Sequence, residues 1–262
     1  MSRAPAAIVL AGGRSARMGT SKASLDWHGM PLLARITGIA GREFTPVVVV
    51  AGAGQPVPAG AERVEDREPG RGPLEGIAAG MRALAGRADA AIVTSTDAPF
   101  LHPAFLRGVA AALGDHEVAV PVADDREHPL AACWSLAALE AVDAALAADR
   151  LRVRSLLEEL DVAFVDVAAL EHPESLRNLN TPEGYRAALG EPLPRVTVVR
   201  PGGERTRRRA AALPVAELNG SPAGRGTVPL VDGDVVRAAH GLGRGAVAFT
   251  GIRAASISAP DG

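Results

Sequence analysis

The sequence predicts an α/β protein: a three-layer αβα, Rossmann-like domain with a mainly parallel sheet, followed by a small β-rich appendage. Three observations predict it. Through residues 1–190, short β-branched apolar runs alternate with segments of helical periodicity. The apolar runs lack strict in–out alternation, as strands covered on both faces do. After "GEPLP" (190–194) the helical segments stop, and short extended runs separated by glycines take over.

Taken in order, "AAIVLA" (6–11), "PVVVVA" (46–51), "AAIVTST" (90–96), "VAVPV" (118–122) and "VAFVDV" (162–167) read as strands. Helical spacing, with a glycine at the end, marks 31–41, 72–86 and 103–114; 135–150 and 152–160 add two further helices. Prolines at 31, 73, 103 and 182 sit near helix starts, where a missing N–H costs nothing. "ERVE" before Asp66 is a short extended run. In the appendage (195–262), "RVTVVR", "LPVAELNG", "TVPLVDGDVV" and "AVAFTG" are extended. "ERTRRRAAAL" (204–213) is the one stretch there with helical spacing; its arginines at 205, 207, 208 and 209 read most simply as a solvated face, with phosphate binding as the alternative.

Composition limits the function. The 262 residues are 47% hydrophobic but only 3% aromatic, so the core rests on Ala, Val, Leu and Ile. A net charge of -2 gives no reason to expect nucleic acid or an anionic membrane as partner. Cys133, the single cysteine, reads as a small buried apolar residue. The apolar start is too short for a signal peptide and no run approaches a membrane span, so a cytoplasmic protein is expected.

The chemistry concentrates where strands end. Gly12 and Gly13 follow the first strand, at the edge where ligands bind in such sheets. Lacking Cβ atoms, they let backbone N–H groups approach an anion, and Arg14, Arg17 and Lys22 follow within ten residues. The spacing fits neither a Walker loop nor the dinucleotide fingerprint. Asp97 follows the "AAIVTST" strand, a hard oxygen ligand suited to Mg²⁺; a turn aspartate before Pro99 is the bland alternative. Asp66 has a loop-capping alternative, and Thr181 caps a helix beginning at Pro182.

"LAGGRSARMGTSK" (10–22) resembles the L-A-G-G-x-S-x-R-M-G-x-x-K signature of nucleotidyltransferases that activate small phosphorylated substrates. Within these it is most similar to the molybdenum cofactor guanylyltransferases. "EDREPGRGPLEGIAAG" (65–80), "TSTDAPFL" (94–101), "REHPLAACW" (126–134) and "NLNTPEGY" (178–185) agree with that family in order and spacing. The resemblance implies transfer of GMP from GTP to molybdopterin or molybdenum cofactor, with release of pyrophosphate and with Mg²⁺ as cofactor. It implies Lys22 and Asp97 as catalytic residues and Asp97 as the metal ligand. GTP contacts fall on Leu10, Ala11, Gly12, Gly13, Arg17, Lys22, Asp66 and Asp97, and the acceptor side on Asn178 and Asn180. Arg126 and His128 are further candidates for the acceptor anion. Molybdoenzymes or proteins of the same cofactor pathway are the implied partners.

One position departs from the pattern. Where the guanylyltransferases often carry asparagine after the second strand, this chain has Val50, which leaves cytosine open beside guanine. The alternatives are therefore a cytidylyltransferase acting on molybdopterin, another small-molecule phosphate nucleotidyltransferase, and a non-catalytic nucleotide-binding scaffold. "AELNGSPAGRGTVPLVDGDVV" resembles, in outline, small β-grasp sulfur carriers. Those end in Gly-Gly whereas this sequence ends "APDG", so a carrier role is not expected. The expected boundaries are 1–190 for the transferase domain and 195–262 for the appendage.

Overall fold

The computed structural model describes residues 4–12, 22–66, 68, 70–200, 202–223 and 227–238. The chain divides into two compact units. The first comprises residues 1–25 and 31–188; the second, 26–30 and 189–262.

The first unit is built on an eight-stranded sheet. Its strands are β1 (Ala6–Leu10), β2 (Val47–Val50), β3 (Glu62–Val64), β4 (Ala90–Ser95), β5 (Val118–Ala123), β6 (Arg126–Glu127), β7 (Cys133–Ser135) and β8 (Val162–Asp166). The order β3-β2-β1-β4-β7-β5-β6 has β8 also paired to β5. Pairings β3–β2, β2–β1, β1–β4 and β5–β8 are parallel; only β7, between β4 and β5, and the two-residue β6 run antiparallel. The apolar runs gave no sign of these last two, which are too short to show a period of two.

Helices α1 (Leu32–Ala40), α2 (Pro73–Leu84), α3 (Pro103–Ala111), α4 (Leu139–Ala147), α5 (Val153–Leu157) and α6 (Pro182–Leu189) connect the strands. The helix expected from 135 begins as a 3-10 turn at Leu136–Ala138, capped by the Ser135 hydroxyl, before α4 starts. β1 and β2 are buried along their whole length, which is why their sequences are continuous Ala, Val, Ile and Leu rather than alternating. Two glycines bring α2 onto this surface. A Cβ at Gly80 would stand 2.7–2.9 Å from three Ile8 side-chain carbons, and one at Gly76 would stand 3.1 Å from Leu10 Cδ2. Trp134 and Met81, both fully buried, complete the same core.

The second unit is a six-stranded sheet of β9 (Arg195–Val199), β10 (Arg205–Arg209), β11 (Ala212–Leu218), β12 (Ser221–Pro222), β13 (Thr227–Pro229) and β14 (Val235–Ala238). Its order is β10-β9-β14-β11-β12, with β13 on β11. β9 and β14 are parallel, and the remaining pairs antiparallel. "ERTRRRAAAL" is thus corrected: Arg205–Arg209 form a strand, not a helix. The turn through Gly202 and Gly203 folds β10 back on β9 over five registered pairs, and that ladder overrides local helical spacing. Asn219 and Gly220, at φ 51° and 84°, make the two-residue turn that an Asn-Gly pair favours between antiparallel strands. Val196, Val198, Val215, Leu230 and Val236 form the unit's own small core.

Candidate functional site

The strand order 3-2-1-4 reverses beside β1, so a crevice opens beyond the C-terminal ends of β1 and β4. Two backbone bonds fix its floor. Ala11 N donates to the Val50 carbonyl at 2.8 Å, and Thr96 N donates to the Leu10 carbonyl at 3.3 Å. Leu10 and Ala11 are buried and Gly12, just beyond them, is exposed at the rim. Gly13, Arg14 and Arg17 lie outside the described residues.

Lys22 opens a 3-10 turn, Lys22–Ser24, and its ammonium is the meeting point of the crevice. Its Nζ donates to Asp97 Oδ2 at 3.0 Å and to Asn180 Oδ1 at 2.8 Å. The Lys22 and Asp97 side chains are only 20% and 18% exposed, which shields the pair from solvent screening. The Ser95 hydroxyl donates to Asp97 Oδ1 at 2.6 Å, and Leu179 N donates to the Asp97 carbonyl at 2.7 Å. Residues separated by 75 and 158 positions in sequence therefore share one ammonium.

The loop behind Asp97 is tied from two sides. Buried Arg35 on α1 donates from Nε to the Pro99 carbonyl at 2.7 Å. Ser175 Oγ accepts from His102 N at 3.1 Å, the His102 and His172 rings stack at 3.5 Å, and the Arg177 guanidinium lies 4.1 Å over the Phe100 ring. Thr181 Oγ1 accepts from Gly184 N at 3.1 Å, holding the start of α6 just past Asn180. Asn178 is exposed, with no bond to this cluster among the described residues.

Asp66 follows β3, on the side of the crevice away from Asp97. Its Oδ1 is buried without a hydrogen-bond partner, 3.5 Å from where a Cβ at Gly76 would stand, and Oδ2 lies 4.0 Å from the Cβ position of Gly12. Burial, and then the charge of Glu75, push its carboxyl above the ordinary range. Glu75 is itself buried in the first turn of α2, within 3.3 Å of Arg82 and 3.9 Å of Arg71. His128 is held below the usual histidine range by burial and by Arg126, against an opposing contribution from Asp124.

Several contributors escaped the sequence reading. Arg35 carried no signal, being a single polar residue in an apolar run, and Ser95 is one of three consecutive hydroxyl residues, Thr94, Ser95 and Thr96, that spacing does not tell apart. Gln55, whose Nε2 reaches the Ala11 carbonyl at 3.4 Å, stands in a Gly- and Pro-rich loop. The Val50 side chain is buried, and this position reaches the crevice through its carbonyl.

The donor set suits Mg²⁺. It offers one carboxylate with hydroxyl and amide oxygens beside it, and this ion commonly takes one or two carboxylates while keeping its waters. Among the described residues no group of three His, Cys, Asp or Glu gathers into a metal cage. Asp97 would be the ligand.

Residues 7–164 match the MobA-like NTP transferase domain. A molybdenum cofactor guanylyltransferase of Rhodobacter capsulatus is 37% identical over 188 residues, 70% of this chain and 94% of the relative. The chain belongs to the MobA-like NTP transferase family. Two solved structures share the fold. Molybdopterin-guanine dinucleotide biosynthesis protein A from Archaeoglobus fulgidus has a TM-score of 0.58 at 24% identity, covering 70% of this chain and 95% of that one. The 2-C-methyl-D-erythritol 4-phosphate cytidylyltransferase of Thermus thermophilus has a TM-score of 0.54 at 20% identity, covering 71% and 97%. As a family member the protein is a nucleotidyltransferase.

Proposed function

We propose that this transferase moves GMP from GTP to molybdopterin, or to its molybdenum-bound form, and releases pyrophosphate. The observation that carries the reading is the convergence of Lys22, Asp97 and Asn180 on one point of the crevice. In this reading the amides around Gly12 and the cation of Lys22 receive the triphosphate. Lys22 turns from Asp97 toward phosphate oxygens, and Asn180 marks the acceptor side. Asp97, aimed by the Ser95 hydroxyl, would hold Mg²⁺, which supplies charge neutralisation at the phosphates. Asp66 offers an unpaired buried carboxylate oxygen to the N–H donors of a base, the group guanine presents in greatest number.

The acceptor's phosphate is already ionised when it attacks the α-phosphorus opposite the departing pyrophosphate, so no strong general base is needed. Positioning and preorganised charge then account for most of the catalysis. No described helix is long and apolar enough to cross a membrane, and a cytoplasmic place in molybdenum cofactor assembly, beside the enzymes that receive the product, belongs to the same proposal. The second unit pairs two central parallel strands flanked by antiparallel partners, which is the strand pairing of a β-grasp sheet, but no helix crosses it among the described residues.

The test is Mg²⁺-dependent pyrophosphate release with molybdopterin, offering GTP, CTP and ATP side by side. Release with GTP at ten or more times the rate with CTP is expected. A preference for CTP transfers the reading to the cytidylyl reaction, and no release with any of the three ends it.

A further inference from the structure

The second unit gathers positive charge onto one face of its sheet. Residues 189–262 carry 10 arginines against 6 Asp and Glu, a net +4, whereas 1–188 carry a net −6. Strand alternation places Arg205, Arg207 and Arg209 on one face of β10. Their cross-strand partners on β9 are Val199, Thr197 and Arg195. Arg237 on β14 stands opposite Val199, and Glu217 on β11 stands opposite Arg237. Val196, Val198 and Val236 point to the other face, into the unit's core. Five arginines thus share the solvent side of four strands with a single acid.

Protecting an edge strand explains charge on β10. It does not explain Arg237 on an inner strand, nor Arg195 directly opposite Arg209, since like charges so paired destabilise a sheet. Nor does it explain the hollow on this face. That hollow, about 340 Å³, is lined by Val199 and Val235 from the two adjacent parallel strands, by Arg205, Arg237 and the acid Glu217, and by Gly203 and Gly220 at two hairpin turns. Arg237 donates from Nε to Glu217 Oε2 at 2.9 Å, which fixes the guanidinium plane while its terminal amino groups keep their donors. The Arg205 side chain makes no hydrogen bond or ion pair among the described residues.

Two guanidinium forks beside a short apolar strip match a phosphate carried on a carbon ring. The volume is that of a small-ligand cleft. A nucleic-acid strand is disfavoured, because the lining has no aromatic side chain on which bases could stack. We propose that this hollow binds a phosphorylated small molecule, its phosphate on Arg205 and Arg237 and its ring on Val199 and Val235.

A nucleotide and a phosphorylated pterin share this chemistry, and one titration separates them. In ¹⁵N-labelled full-length protein, the Nε–Hε signals of Arg205 and Arg237 are assigned with Arg205→Gln and Arg237→Gln. GMP, a pterin phosphomonoester, unphosphorylated guanosine and sodium sulfate are then titrated at matched ionic strength. Both signals are expected to move together and saturate with at least one phosphomonoester, and to stay in place with guanosine. Arg205→Gln should weaken the response of Arg237 tenfold or more while leaving the Gly12 amide titration with GMP unchanged. The tighter phosphomonoester identifies the source. Non-saturating shifts that are equal for sulfate and both phosphomonoesters, or no shift at all, overturn the proposal. The readout is local to Arg205 and Arg237, so it stands or falls independently of turnover at Lys22 and Asp97.

Discussion

Replacing Lys22 by methionine removes the ammonium while keeping a stem of similar length and volume. At 3.0 Å from Asp97, a unit charge pair in a surroundings of effective dielectric about 20 interacts by about 5.5 kcal/mol. That is a ceiling, because the ammonium gives up hydration to make the contact. In the resting protein the loss is buffered: Asp97 keeps the Ser95 hydroxyl and partial access to water. The destabilisation is therefore about 1–2 kcal/mol, a fall in Tm of roughly 2–8 °C for a unit of this size. On the proposed mechanism, turnover loses the ammonium that would follow charge developing on phosphate oxygens, so kcat/KM should fall about 10²–10³-fold, or 3–4 kcal/mol. The assay is pyrophosphate release with GTP, Mg²⁺ and molybdopterin, paired with a melting curve. A variant that melts as expected yet turns over at the wild-type rate refutes the role given to Lys22. One that loses activity only because it no longer folds shows the pair to be structural.

Three further outcomes can be checked. Asp66→Asn should raise Tm at pH 7 and weaken GTP binding about tenfold or more. The native carboxyl titrates above its ordinary range, so its unfavourable charge is absent below that range and develops as pH rises; the stability gain of the variant should therefore grow from pH 4 to 7 in parallel melts. Gly80→Ala drives a methyl into Ile8 and should destabilise by about 1–3 kcal/mol in urea unfolding, with part recovered in the Ile8→Ala background. Burial pushes the Cys133 thiol up to about 12, so iodoacetamide at pH 8 should leave the native protein unmodified and alkylate it fully in denaturant.

How much of this was legible in the sequence depends on how each feature is encoded. Strands β1, β2, β4 and β5 announce themselves, because burial across their central residues on both faces demands unbroken β-branched runs; β8 reads the same in sequence yet is only half-buried, with Phe164 exposed. β6 and β7 do not, since two or three residues cannot display a period and their pairing depends on long-range contacts. The arginine-rich β10 misleads for a related reason: its spacing satisfies a helix, and only the ladder with β9 decides. At the site, the glycines and acids that follow apolar runs are visible in the sequence, but it is the resemblance to the family's motifs that singles out Gly12, Lys22, Asp66 and Asp97. Ser95, Arg35 and Gln55 were not, for each acts through hydrogen bonds to residues distant in sequence or to a neighbouring side chain that no spacing rule marks. Nor does anything in "DWHGM" suggest that 26–30 groups with the second unit rather than the first.

The stitching between the segments around Asp97 and Asn180 has a consequence for how the two substrates communicate. Leu179 N holds the Asp97 carbonyl, and His102, Ser175, Phe100 and Arg177 lock the flanking turns together. On the proposed assignment, a molecule that displaces the 172–180 stretch would also shift the backbone that carries the Asp97 carboxylate, and donor and acceptor affinities would then be linked quantities. Whatever factor one ligand imposes on the other's dissociation constant must be returned in equal measure.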